Sequence, residues 1–151
     1  MKITLKEITA QYMQECFSLK VTPSQSEYIA SNENSLQEAQ ENAGIARPFA
    51  IYADDKMIGF TMFAWDEHNE DPEDRYWLWR FMIDKSSQGK GYGHLALKEI
   101  IQYFKENGAD IITLSTKPGN QTALSLYHRF GFKETGGMNG EEIILKLRLN
   151  S

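Results

Sequence analysis

A single cysteine, Cys16, stands in this chain, so no internal disulfide can form and no cysteine pair can hold a metal. Cys16 falls beside Met13 and Phe17 in an apolar-periodic stretch, where a thiol packs as a small hydrophobe. The three histidines, His68, His94 and His128, are not spaced as a ligand pair on one helix face, and no metal is expected. No apolar run approaches the length of a membrane-spanning helix. The opening segment Met1-Lys2-Ile3-Thr4-Leu5-Lys6-Glu7 lacks a continuous apolar stretch. It reads as a first strand rather than a signal peptide, and the expected location is cytoplasmic. No repeat, linker or low-complexity segment is visible, so residues 1–151 are expected to form a single domain.

Positive charge is scarce in the first half. Residues 1–80 hold fourteen acids against seven bases, a net of −7, whereas residues 81–151 hold seven acids against nine bases, a net of +2. An acidic half repels nucleic acid and attracts cations, and neither a nucleic acid nor a membrane is an expected partner. The basic half suits a polyanionic ligand.

What is present is a readable succession of elements. Residues 2–8 alternate as a strand. Helices are expected over about 10–20, from the capping box Thr22-Pro23-Ser24-Gln25, and from a second box at Ser35-Leu36-Gln37-Glu38 to a stop at Gly44. Phe49–Ala53 and Met57–Trp65 flank Asp54-Asp55-Lys56 as a hairpin, an acidic loop covers Asp66–Asp74, and Tyr76–Ile83 reads as a central strand. The clearest helix is 92–107, with Ala96, Leu97, Ile100, Ile101 and Phe104 on one stripe and Asn107-Gly108 ending it. A strand at Ile111–Thr116 precedes a helix at Gln121–Phe130, capped by Asn120 and stopped by Gly131. Phe132–Gly136 and Glu142–Leu149 flank Asn139-Gly140 as a last hairpin. This order is not the regular alternation of a doubly wound sheet; it predicts a mixed sheet with helices on both faces.

One segment points to chemistry. Gln88-Gly89-Lys90-Gly91-Tyr92-Gly93 lies between the strand ending at Ile83 and the long helix. Its glycines let the backbone turn sharply and approach a ligand, and the helix start aims free N–H groups and a positive dipole end at the same space. Lys90 adds positive charge. A phosphate or pyrophosphate fits such a place. There is no Gly-Lys-Ser/Thr ending, which excludes a Walker A loop, and His94 stands where a dinucleotide fingerprint needs glycine. Taken alone, the glycines fit a bare strand-to-helix turn equally well.

Gln88-x-x-Gly91-x-Gly93 after a strand resembles the pyrophosphate loop of the GCN5-related N-acetyltransferase (GNAT) family, whose signature is Arg or Gln, two residues, Gly, one residue, Gly or Ala. A second segment, Asn120-Gln121-Thr122-Ala123-Leu124-Ser125-Leu126-Tyr127 with Phe130-Gly131-Phe132, is similar to the family's Asn-x-x-Ala-x-x-Leu-Tyr…Gly-Phe element. The resemblance spans the chain. It implies an α/β fold with a mixed, mostly antiparallel central sheet of about seven strands, and acetyl-CoA as co-substrate. The backbone of Phe81, Met82 and Ile83 would bond the pantetheine arm, and the amides of Gln88, Gly89, Lys90, Gly91, Tyr92 and Gly93 would hold the pyrophosphate. Asn120 would reach the pantetheine or the thioester, and Tyr127 would protonate the departing thiolate. Spacing alone makes Tyr127 a core tyrosine on an amphipathic helix; only the matched frame makes it catalytic.

The implied reaction is direct attack of an amine on the thioester, with a backbone N–H of the central strand Tyr76–Ile83 stabilising the oxyanion. A primary amine of pKa ~10.4 must first lose a proton. Spermidine acetyltransferases of eukaryotic type carry a Glu on the strand where Trp79 stands here, so that base is not carried over. Glu33, Glu38 and Glu41 lie in the region that builds the family's acceptor pocket, and Glu33 is the residue we single out; as helix charges they fit solvent equally well. Tyr28-Ile29, Ser31 and Trp77-Leu78-Trp79-Arg80-Phe81 resemble the bacterial spermine/spermidine acetyltransferases. The acidic loop Asp66–Asp74, with Trp65, Trp77 and Trp79, suits a polycationic small-molecule amine, and suits plain solubility as well. An aminoglycoside, a protein N-terminus, a non-catalytic acyl-CoA-binding module and a homodimer remain open on the sequence.

Overall fold

The structure is a computed structural model and describes residues 2–8 and 44–149. The helices expected at 10–20, from Thr22 and from Ser35 lie outside the described residues, as do Cys16, Glu33, Glu38 and Glu41. The described elements are β1 (Ile3–Glu7), β2 (Ala46–Ala53), β3 (Lys56–Trp65), β4 (Tyr76–Ile83), α1 (Tyr92–Glu106), β5 (Ile111–Thr116), α2 (Gln121–Arg129), β6 (Lys133–Asn139) and β7 (Glu142–Arg148). The seven strands form one sheet in the order β1-β2-β3-β4-β5-β7-β6. Every neighbouring pair is antiparallel except β4 and β5, which run parallel.

The hydrophobic stripe of α1 is the one its spacing predicts: Ala96, Leu97, Ile100, Ile101 and Phe104 are all buried. Leu97, Ile100, Ile101 and Phe104 pack with Phe63, Leu78, Ile112, Leu114 and Leu145 of the sheet and with Leu124 and Tyr127 of α2, so both described helices cover the same face. Ala96 packs with Ile3, Ile51, Ala53 and Ile58. Phe104 meets Phe63 edge-on at 4.7 Å between ring centroids and Trp65 at 4.9 Å. Each such ring stabilises the fold by roughly 1.5–3 kcal/mol through burial. The opposite face carries a second buried cluster of Ala50, Tyr52, Met57, Phe60, Met62 and Met82. Burial on both faces explains why β2 and β3 read as nearly continuous apolar runs.

Several boundaries differ from expectation. β2 runs back to Ala46 through Pro48, which a central strand would not tolerate. The β1 ladder ends at Glu7↔Phe49, so Pro48 lies just past its outer neighbour. Phe132 is a core residue before β6 rather than part of it, and β6 continues through Gly136-Gly137 at a register shift to Asn139. The last hairpin turns on Gly140-Glu141, one residue later than expected, because Asn139 already pairs with Glu142.

The feature that positions the site is a split in the sheet. β4 and β5 pair only at Trp77↔Thr113 and Leu78↔Leu114. β5 stays paired along its whole length with β7, from Ile111↔Arg148 to Thr116↔Ile143. On the other side, β4 keeps pairing with β3, but Phe63 faces Leu78 while Met62 faces Arg80. Trp79 is therefore an extra residue, a bulge that bends β4 where it parts from β5.

Gly59 of β3 sits hard against the diverging end of β4. A Cβ there would lie 2.3 Å from the Met82 carbonyl oxygen and 3.3 Å from the Ile83 Cα. Gly59→Ala is expected to lower stability by about 1–3 kcal/mol, because backbone must move. Denaturant unfolding measures this; a midpoint equal to the parent's would show that the strand can yield at no cost.

Candidate active site

The backbone after β4 is folded by its own polar side chains. Asp84 accepts hydrogen bonds from Ser86 N at 3.3 Å and from the Ser86 hydroxyl, closing a short turn over Lys85–Ser87. Gln88 Nε2 then donates to the Ile83 carbonyl at 2.8 Å, tying the loop back to the strand end. Gly91 precedes α1 with φ +81°, and no side chain caps the helix there. The first helical bond runs from Leu95 N to Gly91 O at 3.3 Å. The amides of Tyr92, Gly93 and His94 thus have no acceptor in the helix, and a fifteen-residue dipole ends at them. That arrangement favours an anion.

The loop forms one end of a cavity of about 530 Å³ that continues into the split between β4 and β5. Phe81, Met82, Ile83, Gln88, Gly89, Gly91, Tyr92, Gly93, Asn120 and Tyr127 all line it, which brings together nearly all the site residues read from the sequence. From Trp79 to Ile83, β4 has no strand partner on the β5 side, so an extended ligand can lie there as an added strand. Lys90 is the exception: its side chain is exposed and does not line the cavity. Glu33 lies outside the described residues.

Tyr127 is held by the way α2 stops. Gly131, at φ +96°, takes the left-handed conformation that lets Gly131 N reach His128 O at 3.0 Å and Phe132 N reach Tyr127 O at 3.1 Å. The chain reversal drops Phe132 onto the Tyr127 ring, with centroids 5.6 Å apart. Burial alone pushes the phenol well above its ordinary value of 10.0. Its hydroxyl has no hydrogen-bond partner among the described residues, so a protonated donor lines the cavity. Asn120 caps the other end of α2, its Oδ1 accepting from Ala123 N at 3.5 Å, which leaves the Nδ2 donor for a ligand.

The acidic loop lies apart from this cavity. None of its residues lines the cavity; the loop enters β4 at the end remote from Ile83. Glu73 pairs with Lys146 at 3.2 Å and Arg148 at 3.3 Å, and its carbonyl accepts from the Thr113 hydroxyl at 2.7 Å. Asp71 caps the turn over Pro72–Asp74. Trp65 is 5% exposed in the core, its indole N–H donating to Glu67 at 2.9 Å. Trp79, in contrast, lines the cavity together with Arg80, Ser115, Lys117 and Glu142. Ser115 and Glu142 escape a reading of the sequence, since a serine in an apolar strand and a glutamate opening an amphipathic one carry no periodic signal.

Residues 6–132 match the sequence profile of the Acetyltransferase (GNAT) family. The chain is 36% identical over 151 residues to the spermine/spermidine N(1)-acetyltransferase of Bacillus subtilis (strain 168), covering 97% of this chain and 99% of that one. Among solved structures it is similar to an acetyltransferase from Thermus thermophilus, with TM-score 0.77, 18% identity, and 99% and 98% of the two chains covered. It is also similar to the spermidine N-acetyltransferase of Vibrio cholerae, solved with CoA and spermine, with TM-score 0.70, 19% identity, and 95% and 92% covered.

The raised phenol has a measurable consequence. An unfolded tyrosine ionises near 10.0, the buried Tyr127 above it, so the fold favours the protonated form. Its contribution is complete below pH 10 and is lost as pH climbs past 10 toward the folded value. The stability difference between the parent and Tyr127→Phe should therefore shift against the parent only above pH 10, by urea unfolding at stepped pH. Tyr76 and Tyr103, also raised by burial, are common to both proteins and cancel. A difference that is flat through the alkaline range would place the hydroxyl in water.

Proposed function

This chain belongs to the acetyltransferase (GNAT) family, and from that premise we propose how its cleft performs N-acetylation. It is an acetyl-CoA-dependent N-acetyltransferase, and the acceptor is a polyamine of the spermine or spermidine kind. The observation that carries the acceptor is the 36% identity to the Bacillus spermine/spermidine enzyme over almost the full length of both chains.

The cavity suits acetyl-CoA on the chain's own geometry. The uncapped amides at Gly91–His94 suit the pyrophosphate, with Gln88 holding their loop to the strand. The open edge of β4 over Phe81–Ile83 suits the amide-bearing pantetheine arm, which would take the place β5 gives up. Asn120 offers its remaining donor to the inner end of that arm. Lys90, exposed on the loop, contributes charge to the approach rather than a contact.

In the reaction the amine lone pair attacks the thioester carbonyl carbon after one ammonium proton passes to solvent through a base such as Glu33. A C–N bond forms and the C–S bond breaks. A backbone N–H of β4 bonds the oxyanion, and Tyr127 donates to the sulfur as charge gathers there. The acylated nitrogen, now strongly acidic, gives up its second proton and restores the balance. A phenol raised by burial is protonated throughout the neutral range, as a donor must be. The whole chain, residues 1–151, acts as one catalytic domain.

Release of free thiol from acetyl-CoA with a panel of amines tests the assignment. Spermine and spermidine should be turned over; an active protein that prefers an aminoglycoside or a peptide N-terminus would overturn the acceptor. Tyr127→Phe should lower kcat on the order of 10²-fold with KM for acetyl-CoA nearly kept, because the donor acts mainly in the transition state. If kcat is unchanged, Tyr127 is not the acid. Gly91→Glu puts a side chain on a left-handed residue and a negative charge where the pyrophosphate belongs. It should abolish the rise in Tm that acetyl-CoA gives the parent. An undiminished rise would remove the loop from the binding site.

A further inference from the structure

Glu142 contributes the lone carboxylate among the described residues that line the cavity, where Arg80 and Lys117 are also found. Basic side chains suit the anionic co-substrate but repel a cationic acceptor. Glu142 opens β7 beyond the turn Gly140-Glu141, and its carboxylate is fixed toward β5: Ser115 Oγ donates to its Oε1 at 2.7 Å. Asn139 Nδ2 approaches the same Ser115 hydroxyl at 3.5 Å. Ser115 is the first β5 residue past Leu114, the last to touch β4, so the pair stands at the base of the split. A second carboxylate oxygen, Oε2, has no partner among the described residues.

We propose that Glu142, held by Ser115, recognises a non-reacting ammonium of the acceptor and so selects amines that carry more than one charge. This inference rests on the acetyltransferase reading and names the residue behind its substrate class. The charge argument decides which nitrogen is held. With Glu33 assigned as the base at the reacting nitrogen, a second carboxylate paired there would only stabilise the protonated, non-nucleophilic form. Paired with a second ammonium along the same chain, it anchors the acceptor and leaves the reacting nitrogen to lose its proton. Trp79, half-buried at the bulge, offers its ring to the methylene stem or the charge between them. The contact exists equally in the ground and transition states, so it acts on KM.

Steady-state kinetics with spermidine and with the monoamine hexylamine, on the parent, Glu142→Gln and Ser115→Ala, test this. Glu142→Gln should raise KM for spermidine at least about tenfold with kcat kept within about twofold. Hexylamine kcat/KM and the acetyl-CoA-dependent rise in Tm should not change, the latter reporting an intact fold and co-substrate site. Ser115→Ala, which loosens the carboxylate without removing it, should raise spermidine KM by a smaller factor. Unchanged spermidine KM in Glu142→Gln overturns the proposal, and so does an equal loss with both amines, which would put Glu142 at the reacting nitrogen. A parent that takes up acetyl-CoA but prefers hexylamine also overturns it. A parent that gains no Tm from acetyl-CoA and releases no thiol would instead bring down the transferase reading itself.

Discussion

Two residue pairs, Trp77 with Thr113 and Leu78 with Leu114, are all the strand pairing between the two halves of the sheet, and the site exists because the pairing stops there. A parallel pair continued to Ile83 would satisfy the β4 backbone and leave no cavity. The bulge at Trp79 turns β4 aside while β3 continues to hold it, and β7 holds β5. The backbone groups exposed by the split are strong hydrogen-bonding groups without strand partners, and a ligand of peptide-like polarity meets that need. Gly59 packs closely against Met82 and Ile83 at the end of β4 that has left β5.

The chemistry is supplied at the two ends of the split by helix termini used in opposite ways. α1 begins without a side-chain cap, so its amides are kept for a ligand. α2 is capped at both ends, by Asn120 and through Gly131, and the second cap presses Phe132 onto Tyr127. The same burial that locks the ring keeps the hydroxyl protonated. Positioning and proton affinity therefore have one cause. Charge is divided in the same spirit: the carboxylates of Asp71 and Glu73 brace a loop and the last strand, while Glu142 alone of the described carboxylates reaches the cavity.

Much of this was legible in the order of residues. The stripe Ala96, Leu97, Ile100, Ile101, Phe104 has the period of a helix packed on one side, and its burial follows. Gly108 and Gly131 mark helix ends because the left-handed residue past a helix is nearly always glycine. β4 and β5 were readable to the residue, being apolar runs bounded by polar turns. Pro48 hid the start of β2, because its tolerance depends on where the neighbouring strand ends.

The sequence by itself determined the order of the described elements, the glycine loop before a long helix and the second segment around Tyr127, since each rests on residues close along the chain. In the acidic loop Asp66–Asp74, composition shows only a dense run of carboxylates; the structure shows that Asp71 caps a turn and Glu73 pairs with Lys146 and Arg148. Only the tertiary structure decided where β4 and β5 part, that Trp79 is the surplus residue, and that Ser115 and Glu142, twenty-seven positions apart, share a hydrogen bond at the foot of the split. The reason is physical. Local propensity is encoded in neighbours, whereas register between strands is a balance of packing over distant side chains, and the place where that balance fails is where a ligand can enter.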